Sequence, residues 1–230
     1  VSPGSKKYNL FLGCFIGQKN IMPAILLIRH GENEYVKKGR LAGRLPGVHL
    51  NQKGREQAQA LADKLRGAPI KALYSSPLER TMETAEPIAQ ALELEVIPCQ
   101  GLLEVDFGEW QGKTLKGLRR LKLWKTVQHS PATARFPGGE SFAEAQFRAC
   151  RALEQIASKY EEKDIVACVS HSDLIKLSVA YYLGLPLDLF QRLFIAPASF
   201  TVLALGPAGS FLVTLNYDLS FTFTKDDSGK

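Results

Sequence analysis

Three apolar runs, each stopping abruptly at polar residues that carry chemistry, constrain this chain more than any other feature. Ala24 to Ile28 stops at Arg29-His30-Gly31-Glu32, Ile70 to Tyr74 stops at Ser75-Ser76-Pro77, and Val166 to Val169 stops at Ser170-His171-Ser172. Short continuous apolar runs without alternation read as strands buried on both faces, the kind found in parallel sheets covered by helices. Helical patterns follow each run or lead into the next. Ala58, Leu61, Ala62 and Leu65 recur behind Asn51 as N-cap; Met82, Ala85, Ile88 and Ala89 recur behind Ser76 as N-cap, with Pro77 at an early helical position; Leu174, Ile175, Leu177, Ser178 and Tyr181 make a third pattern. This alternation predicts an α/β fold of three layers, a mostly parallel sheet with helices on both faces.

The remaining stretches fit that frame. Leu94 to Ile97 reads as a short strand, and the segment around Glu104 as an irregular loop whose Gly108-Glu109-Trp110 packs over the pocket. Lys113 to Gln128 reads as one helix, with Leu115, Leu118, Leu121 and Trp124 at threefold spacing and six cations around them. Phe136-Pro137-Gly138-Gly139-Glu140-Ser141 reads as a turn, with Ser141 or Glu140 opening a long helix through about Tyr160. Phe200 to Leu205 and Phe211 to Leu215, flanking Gly206-Pro207-Ala208-Gly209, read as a hairpin.

The polar residues at the strand ends point to an anion. In open α/β sheets ligands collect outside the carboxyl ends of strands. Of four histidines, His30 and His171 occupy such ends, whereas His49 and His129 lie in polar stretches and read as structural. Neutral imidazole is a nucleophile near neutral pH, and the neighbouring Arg29 offers a planar fork suited to phosphate oxygens. Gly31 lets the backbone turn there. Arg80 falls in the first turn of its helix, where the positive end disfavours a cation unless an anion is expected nearby. Carboxylates alternate with apolar residues along Leu102-Leu103-Glu104-Val105-Asp106-Phe107-Gly108-Glu109-Trp110. A carboxylate among apolar neighbours is a candidate general acid; Glu109 reads as exposed, and sequence alone does not choose between Glu104 and Asp106. Any one of these features alone is better explained as an ordinary surface or core residue; the ordered set is not.

That order resembles the histidine phosphatase superfamily, also called the phosphoglycerate mutase-like family: RHG, then SSPxxRTxxTA, then LxExxFGxWxG, then SH at a late helix, spanning most of Ile25 to Tyr217. The resemblance implies a phosphoglycerate mutase-like fold and a phosphate pocket in which His30 is the nucleophile that becomes phosphorylated. It implies Arg29, Arg80 and His171 as phosphate-binding partners, with His171 in the catalytic set. Glu104 matches the acid of the phosphatase branch, and Gly43 a glycine whose backbone approaches the phosphate. The backbone N–H of Ser172, where relatives carry Gly, serves the same end. Each such donor contributes about 2–4 kcal/mol to a transition state. The chain departs from the pattern at Val36, where the family often has an Asn donor. Arg40 and Arg44 are extra cations in the first loop, Arg44 standing as a replacement donor or substrate contact if it is not merely solvated. The resemblance calls for no metal and no cofactor.

A length of 230 residues accommodates one large domain, assigned here to 22–224. Residues 1–21 read as a disordered upstream extension or cloning remnant ahead of Met22-Pro23, and 225–230 as a disordered polar tail. The formal charge of +6 falls to +3 without Lys6, Lys7 and Lys19, which weakens any general polyanion-binding role. Cys14, Cys99, Cys150 and Cys168 show no metal or disulfide spacing, which fits a cytoplasmic protein. The apolar stretch Leu10 to Ile16 is too short to span a bilayer, so no membrane partner is expected. Nucleic acid is not expected either, because the basic segment 113–125 lacks interleaved stacking aromatics.

The leading expectation is a metal-independent phosphomonoester hydrolase acting on small phosphorylated metabolites through a phosphohistidine at His30. A cofactor-dependent phosphoglycerate mutase is the first alternative; mutases of the family typically carry a longer insertion than the compact interval between Glu104 and His171. A non-catalytic phosphate-recognition module is the second.

Overall fold

Residue 24 begins a strand that runs through the middle of the sheet, and everything else is arranged by what its two faces bury. The computed structural model describes residues 23–206 and 209–220. The expected extension at 1–21, the expected tail at 225–230, and Pro207 and Ala208 of the expected hairpin turn lie outside the described residues. Six strands, β1 (Ala24–Arg29), β2 (Ile70–Ser75), β3 (Val96–Pro98), β4 (Ile165–Ser170), β5 (Phe200–Ala204) and β6 (Phe211–Tyr217), form one sheet in the order β3-β2-β4-β1-β5-β6. The pairs β1/β4, β2/β4 and β2/β3 are parallel, while β5 runs antiparallel to both β1 and β6. The late hairpin is therefore an antiparallel edge on a parallel core.

The period of two along the central strands divides the interior into two cores. Ala24, Leu26 and Ile28 of β1 join Ala167 and Val169 of β4 beneath α2 (Gln52–Leu65) and α3 (Glu79–Leu92), which contribute Leu61, Ala62, Leu65, Ala85, Ile88 and Ala89. Ile25 and Leu27 join Val166 and Cys168 on the other face, beneath α6 (Phe142–Ala157) and α7 (Ser172–Tyr182). Helices cover both faces, as the uninterrupted apolar runs require. Burying each large aliphatic side chain contributes about 1.5–3 kcal/mol.

This winding places a crevice between β1 and β4. The chain leaves β1 toward the α2 face and leaves β4 directly into α7 on the opposite face, so the connections diverge at neighbouring carboxyl ends. Such a switch point is where open α/β sheets bind ligands. The backbones stay joined there, with His30 N–H donating to Ser170 O at 3.0 Å and Ser76 N–H to Val169 O at 2.9 Å.

Several local expectations need correction. Ser76 does not cap α3: the helix starts at Glu79 behind Leu78, because the Ser76 hydroxyl is engaged by His171. Asn51 does cap α2, accepting from Gly54 N–H at 2.8 Å. Ser141, not Glu140, caps α6, in a reciprocal capping box with Glu144. The basic stretch 113–128 is two helices, α4 (Leu115–Leu118) and α5 (Lys122–His129), because the chain turns extended at Leu121 (φ −79°, ψ 143°). Trp110 is buried, stacked on Trp124 and edge-on to Phe136.

Gly31 serves packing more than turning. A Cβ there would lie 2.5 Å from the carbonyl oxygen of Gly54 in the first turn of α2. Gly31→Ala is expected to destabilise the protein by about 1–3 kcal/mol, seen as a lower urea midpoint at unchanged slope. An unaltered midpoint would contradict this account of the contact.

Candidate active site

His30 follows the last residue of β1, and its ring is buried. Its Nδ1 lies 2.7 Å from the Gly31 carbonyl oxygen, which can only accept, so Nδ1 carries the proton and Nε2 presents a lone pair. Burial lowers the His30 pKa well below the ordinary value, and Arg80 and then Arg29 lower it further, against the Gly31 carbonyl. The ring is held neutral and in one orientation.

His171 faces it edge-on, with ring centroids 5.3 Å apart. It is the N-cap of α7 and fully buried. Arg80 Nη2 lies 3.1 Å from His171 Nδ1, and a guanidinium only donates, so Nδ1 accepts and Nε2–H donates to Ser76 Oγ at 2.9 Å. Burial, then Arg80, then His30 hold this imidazole neutral as well.

Arg80 enters from the second residue of α3 and is 1% exposed. Its Nη2 also donates to Gly43 O at 2.7 Å. Gly43 sits at φ +55°, a left-handed conformation suited to glycine, and a Cβ there would meet the Gln111 side chain at 2.3 Å. Burial lowers the Arg80 pKa to about 10, so it stays charged at neutral pH. Arg29 spends Nη1 on Ile195 O at 2.6 Å. Among the described residues, Arg80 Nε and Nη1 and Arg29 Nε are buried with no hydrogen-bond partner. Two guanidinium groups thus present unspent donors beside a neutral imidazole, an arrangement that favours an anion with several acceptor oxygens. The N–H of Ser172, first residue of α7, adds a helix-start donor.

Glu104 occupies the loop between the 3-10 turns Gln100–Leu102 and Gly108–Trp110. It is buried, and its Oε1 accepts from Val105 N–H at 3.0 Å. Burial, followed by the Asp173 carboxylate, pushes its pKa up to about 7, against Arg80, the Val105 N–H and Arg29. Asp106 differs in kind: it is half-buried, its Oδ1 accepts from Gly108 N–H at 2.9 Å, and its Oδ2 lies 3.8 Å from Arg44 Nη1. Glu109 is exposed, as expected, although on a 3-10 turn.

The first-loop cations part ways. Arg40 is exposed, donating to Gly112 O and lying over the Tyr35 ring. Arg44 is not merely solvated; it donates to Glu140 and to Glu104 O. His49 is exposed and paired with Glu83, and His129 is exposed at the end of α5. Val36 lies in α1 (Glu34–Lys37), capped by the fully buried Asn33, whose Nδ2 has no partner among the described residues. Sequence reasoning missed Asn33, Asp173, Thr84 and Arg148. Thr84 Oγ1 accepts from Gly31 N–H and donates to Arg80 O, tying the turn after His30 to α3. Its place one helical turn after Arg80 was the available signal. Arg148 touches the site only through long-range contacts.

Residues 25–218 match the model of the family described as the histidine phosphatase superfamily, branch 1. The chain is similar to phosphoserine phosphatase 1 of Hydrogenobacter thermophilus, 31% identical over 200 residues, covering 85% of this chain and 92% of the relative. It is also similar to a 2,3-bisphosphoglycerate-dependent phosphoglycerate mutase of Thermoplasma acidophilum, 30% identical over 182 residues, covering 79% and 87%. Among solved structures, a mycobacterial glucosyl-3-phosphoglycerate phosphatase in complex with VO3 superposes with a TM-score of 0.78 at 27% identity, covering 85% of this chain and all of that one.

Because a ligand bound only by the folded state stabilises it, inorganic phosphate is expected to raise the melting temperature, by the equivalent of about 2.7 kcal/mol at roughly a hundredfold excess over Kd. Arg80→Met is expected to abolish that rise. An equal rise in the variant would show that the unspent guanidinium donors are not what holds the anion.

Proposed function

The chain belongs to branch 1 of the histidine phosphatase superfamily, and on that premise we propose that its phosphatase chemistry runs through a phosphohistidine at His30 and acts on small phosphorylated metabolites. The observation that carries this reading is the neutral His30 ring, its Nδ1–H held by Gly31 O, beside buried arginine donors with no protein partner. Phosphoryl transfer is mainly positioning plus charge stabilisation, and these groups supply both.

In the first step, the His30 Nε2 lone pair attacks phosphorus as the bond to the leaving oxygen breaks. Glu104 gives its proton to that oxygen. The phosphoimidazole carries positive charge, and the Nδ1–H bond to Gly31 O disperses part of it. In the second step, the Glu104 carboxylate takes a proton from water, whose oxygen attacks phosphorus while the N–P bond breaks. Inorganic phosphate leaves, and both residues return to their starting protonation states. Arg29, Arg80 and the Ser172 N–H hold the non-bridging oxygens, and Gly43 O orients Arg80 for that task.

The acid role falls to Glu104 because burial favours its protonated form near neutrality, whereas Asp106 is spent on a turn and lies near Arg44. Free thiols at Cys150 and Cys168 support a cytoplasmic setting. No helix among the described residues is long and apolar enough to cross a membrane. The mutase reading draws on similarity to the Thermoplasma protein. Incubation with 3-phosphoglycerate and 2,3-bisphosphoglycerate separates the two: phosphate release is expected, and rapid interconversion to 2-phosphoglycerate without release would favour the mutase.

Glu104→Gln is expected to lower kcat for alkyl phosphates by about 10²- to 10⁴-fold, and to affect activated aryl phosphates far less, since only the former leaving group needs a proton. The same proton sets the pH profile. Glu104 must be protonated for the first step, so alkyl-phosphate turnover by the wild type is expected to fall as pH rises through about 7. His30 must be neutral, and its depressed pKa places the acid limb well below 6.5. Equal losses for both substrate classes would move the acid role to Asp106 or to solvent.

A further inference from the structure

Glu140 precedes the cap of α6 and belongs to none of the groups that face the nucleophile, yet three parts of the site converge on its carboxylate. Its Oε1 accepts from Arg44 Nη2, from Arg148 Nη2 at 2.9 Å and from Asp106 N–H at 3.0 Å. The Glu140 N–H in turn donates to Asp106 O at 3.0 Å, so backbone and side chain grip the same residue from both directions.

Both arginines extend past Glu140 to the backbone of the proposed acid. Arg44 Nε donates to Glu104 O at 2.9 Å, and Arg148 Nη2 reaches the same oxygen at 3.3 Å. Arg148 Nη1 also holds Gly101 O and Leu103 O, each at 2.9 Å. The loop carrying Glu104 has no regular secondary structure between its two 3-10 turns, so these bonds replace the ladder that a strand or helix would have supplied. Arg44 is also the residue after Gly43, whose carbonyl receives Arg80. One carboxylate therefore ties the phosphate loop, the acid loop and α6 into a single unit. With side-chain exposures of 14% for Glu140, 27% for Arg44 and 25% for Arg148, the bridge is shielded enough to hold its geometry.

We propose that Glu140 is a positioning residue: bridged between Arg44 and Arg148, it fixes the main chain of Glu104 and so sets the distance over which the acid's proton is delivered. The inference rests on the reading of Glu104 as the acid. It gives Arg44 a role in holding the loop rather than in contacting substrate. Glu140 touches no reacting atom, so its loss reaches the chemistry through the main chain it holds, and the direct bonds from Arg44 and Arg148 to Glu104 O make the acid the first group to shift.

The test compares an alkyl phosphate with an activated aryl phosphate in the wild type, Glu104→Gln, Glu140→Gln and Arg148→Lys, the last keeping the charge while losing the guanidinium fork. Misplacing a catalytic group by about 1 Å costs on the order of 10²-fold. Glu140→Gln is therefore expected to lower kcat for the alkyl phosphate by about 10- to 100-fold and to lower the aryl phosphate far less, with KM for both held. Arg148→Lys is expected to show the same split at smaller amplitude, and it carries the test if Glu140→Gln does not fold. If Glu104→Gln shows the split but Glu140→Gln and Arg148→Lys reduce both substrates equally, or neither, the positioning role is overturned while the acid stands. If Glu104→Gln shows no split, the acid reading itself fails.

Discussion

Burying two guanidinium groups beside an imidazole is costly, and the rest of this structure is organised around tolerating that cost. A buried ion without a partner carries a penalty of several kcal/mol. Arg80 recovers part of it through Gly43 O and His171 Nδ1, and Arg29 through Ile195 O. What is left over, the donors on Arg80 Nε and Nη1 and Arg29 Nε, is the affinity the site directs at an anion. Burial, reinforced by the same positive field, keeps both histidines neutral. In the proposed mechanism this links binding to reactivity: the groups assigned to phosphate also preserve the lone pair assigned to attack it.

Glu104 shows the opposite balance. Arg80 and Arg29 pull its proton affinity down, yet burial and Asp173 outweigh them and leave it near 7. A carboxyl so poised can give and retake a proton near neutrality, as a two-step transfer needs. Holding it there requires rigidity that a loop does not itself possess. Ser170 Oγ, donating to Leu102 O at 2.8 Å, pins one end to β4, while the arginines on Glu140 pin the other.

His30, Arg80 and His171 were legible because each sits where a pattern of local burial breaks, at a strand end or in a first helical turn, and such breaks are written in consecutive residues. The two-faced sheet was legible for the same reason. Ser76 was misread because a serine before a proline and a helical pattern resembles an N-cap; its hydroxyl instead serves His171, distant in sequence. The single basic helix was misread because threefold leucine spacing persists across Leu121, where the backbone is extended. Glu140 and Arg148 escaped notice, and Arg44 reads from sequence only as a solvated cation or a donor to phosphate or substrate, because their partners are 8 to 96 positions away and nothing local marks a surface-type ion as half-buried. The preference for Glu104 over Asp106 in the proposed acid role rests on the burial of one and the turn bond of the other, neither of which is written in consecutive residues.

The central claim is that His30 Nε2 receives the phosphoryl group. Rapid quenching of the enzyme during turnover of a labelled phosphomonoester, followed by proteolysis and mass-spectrometric mapping, tests it directly. The account predicts a base-stable, acid-labile phosphoryl group on His30 that disappears in His30→Ala. Turnover without a trappable phosphoenzyme, or label on any other residue, would contradict it.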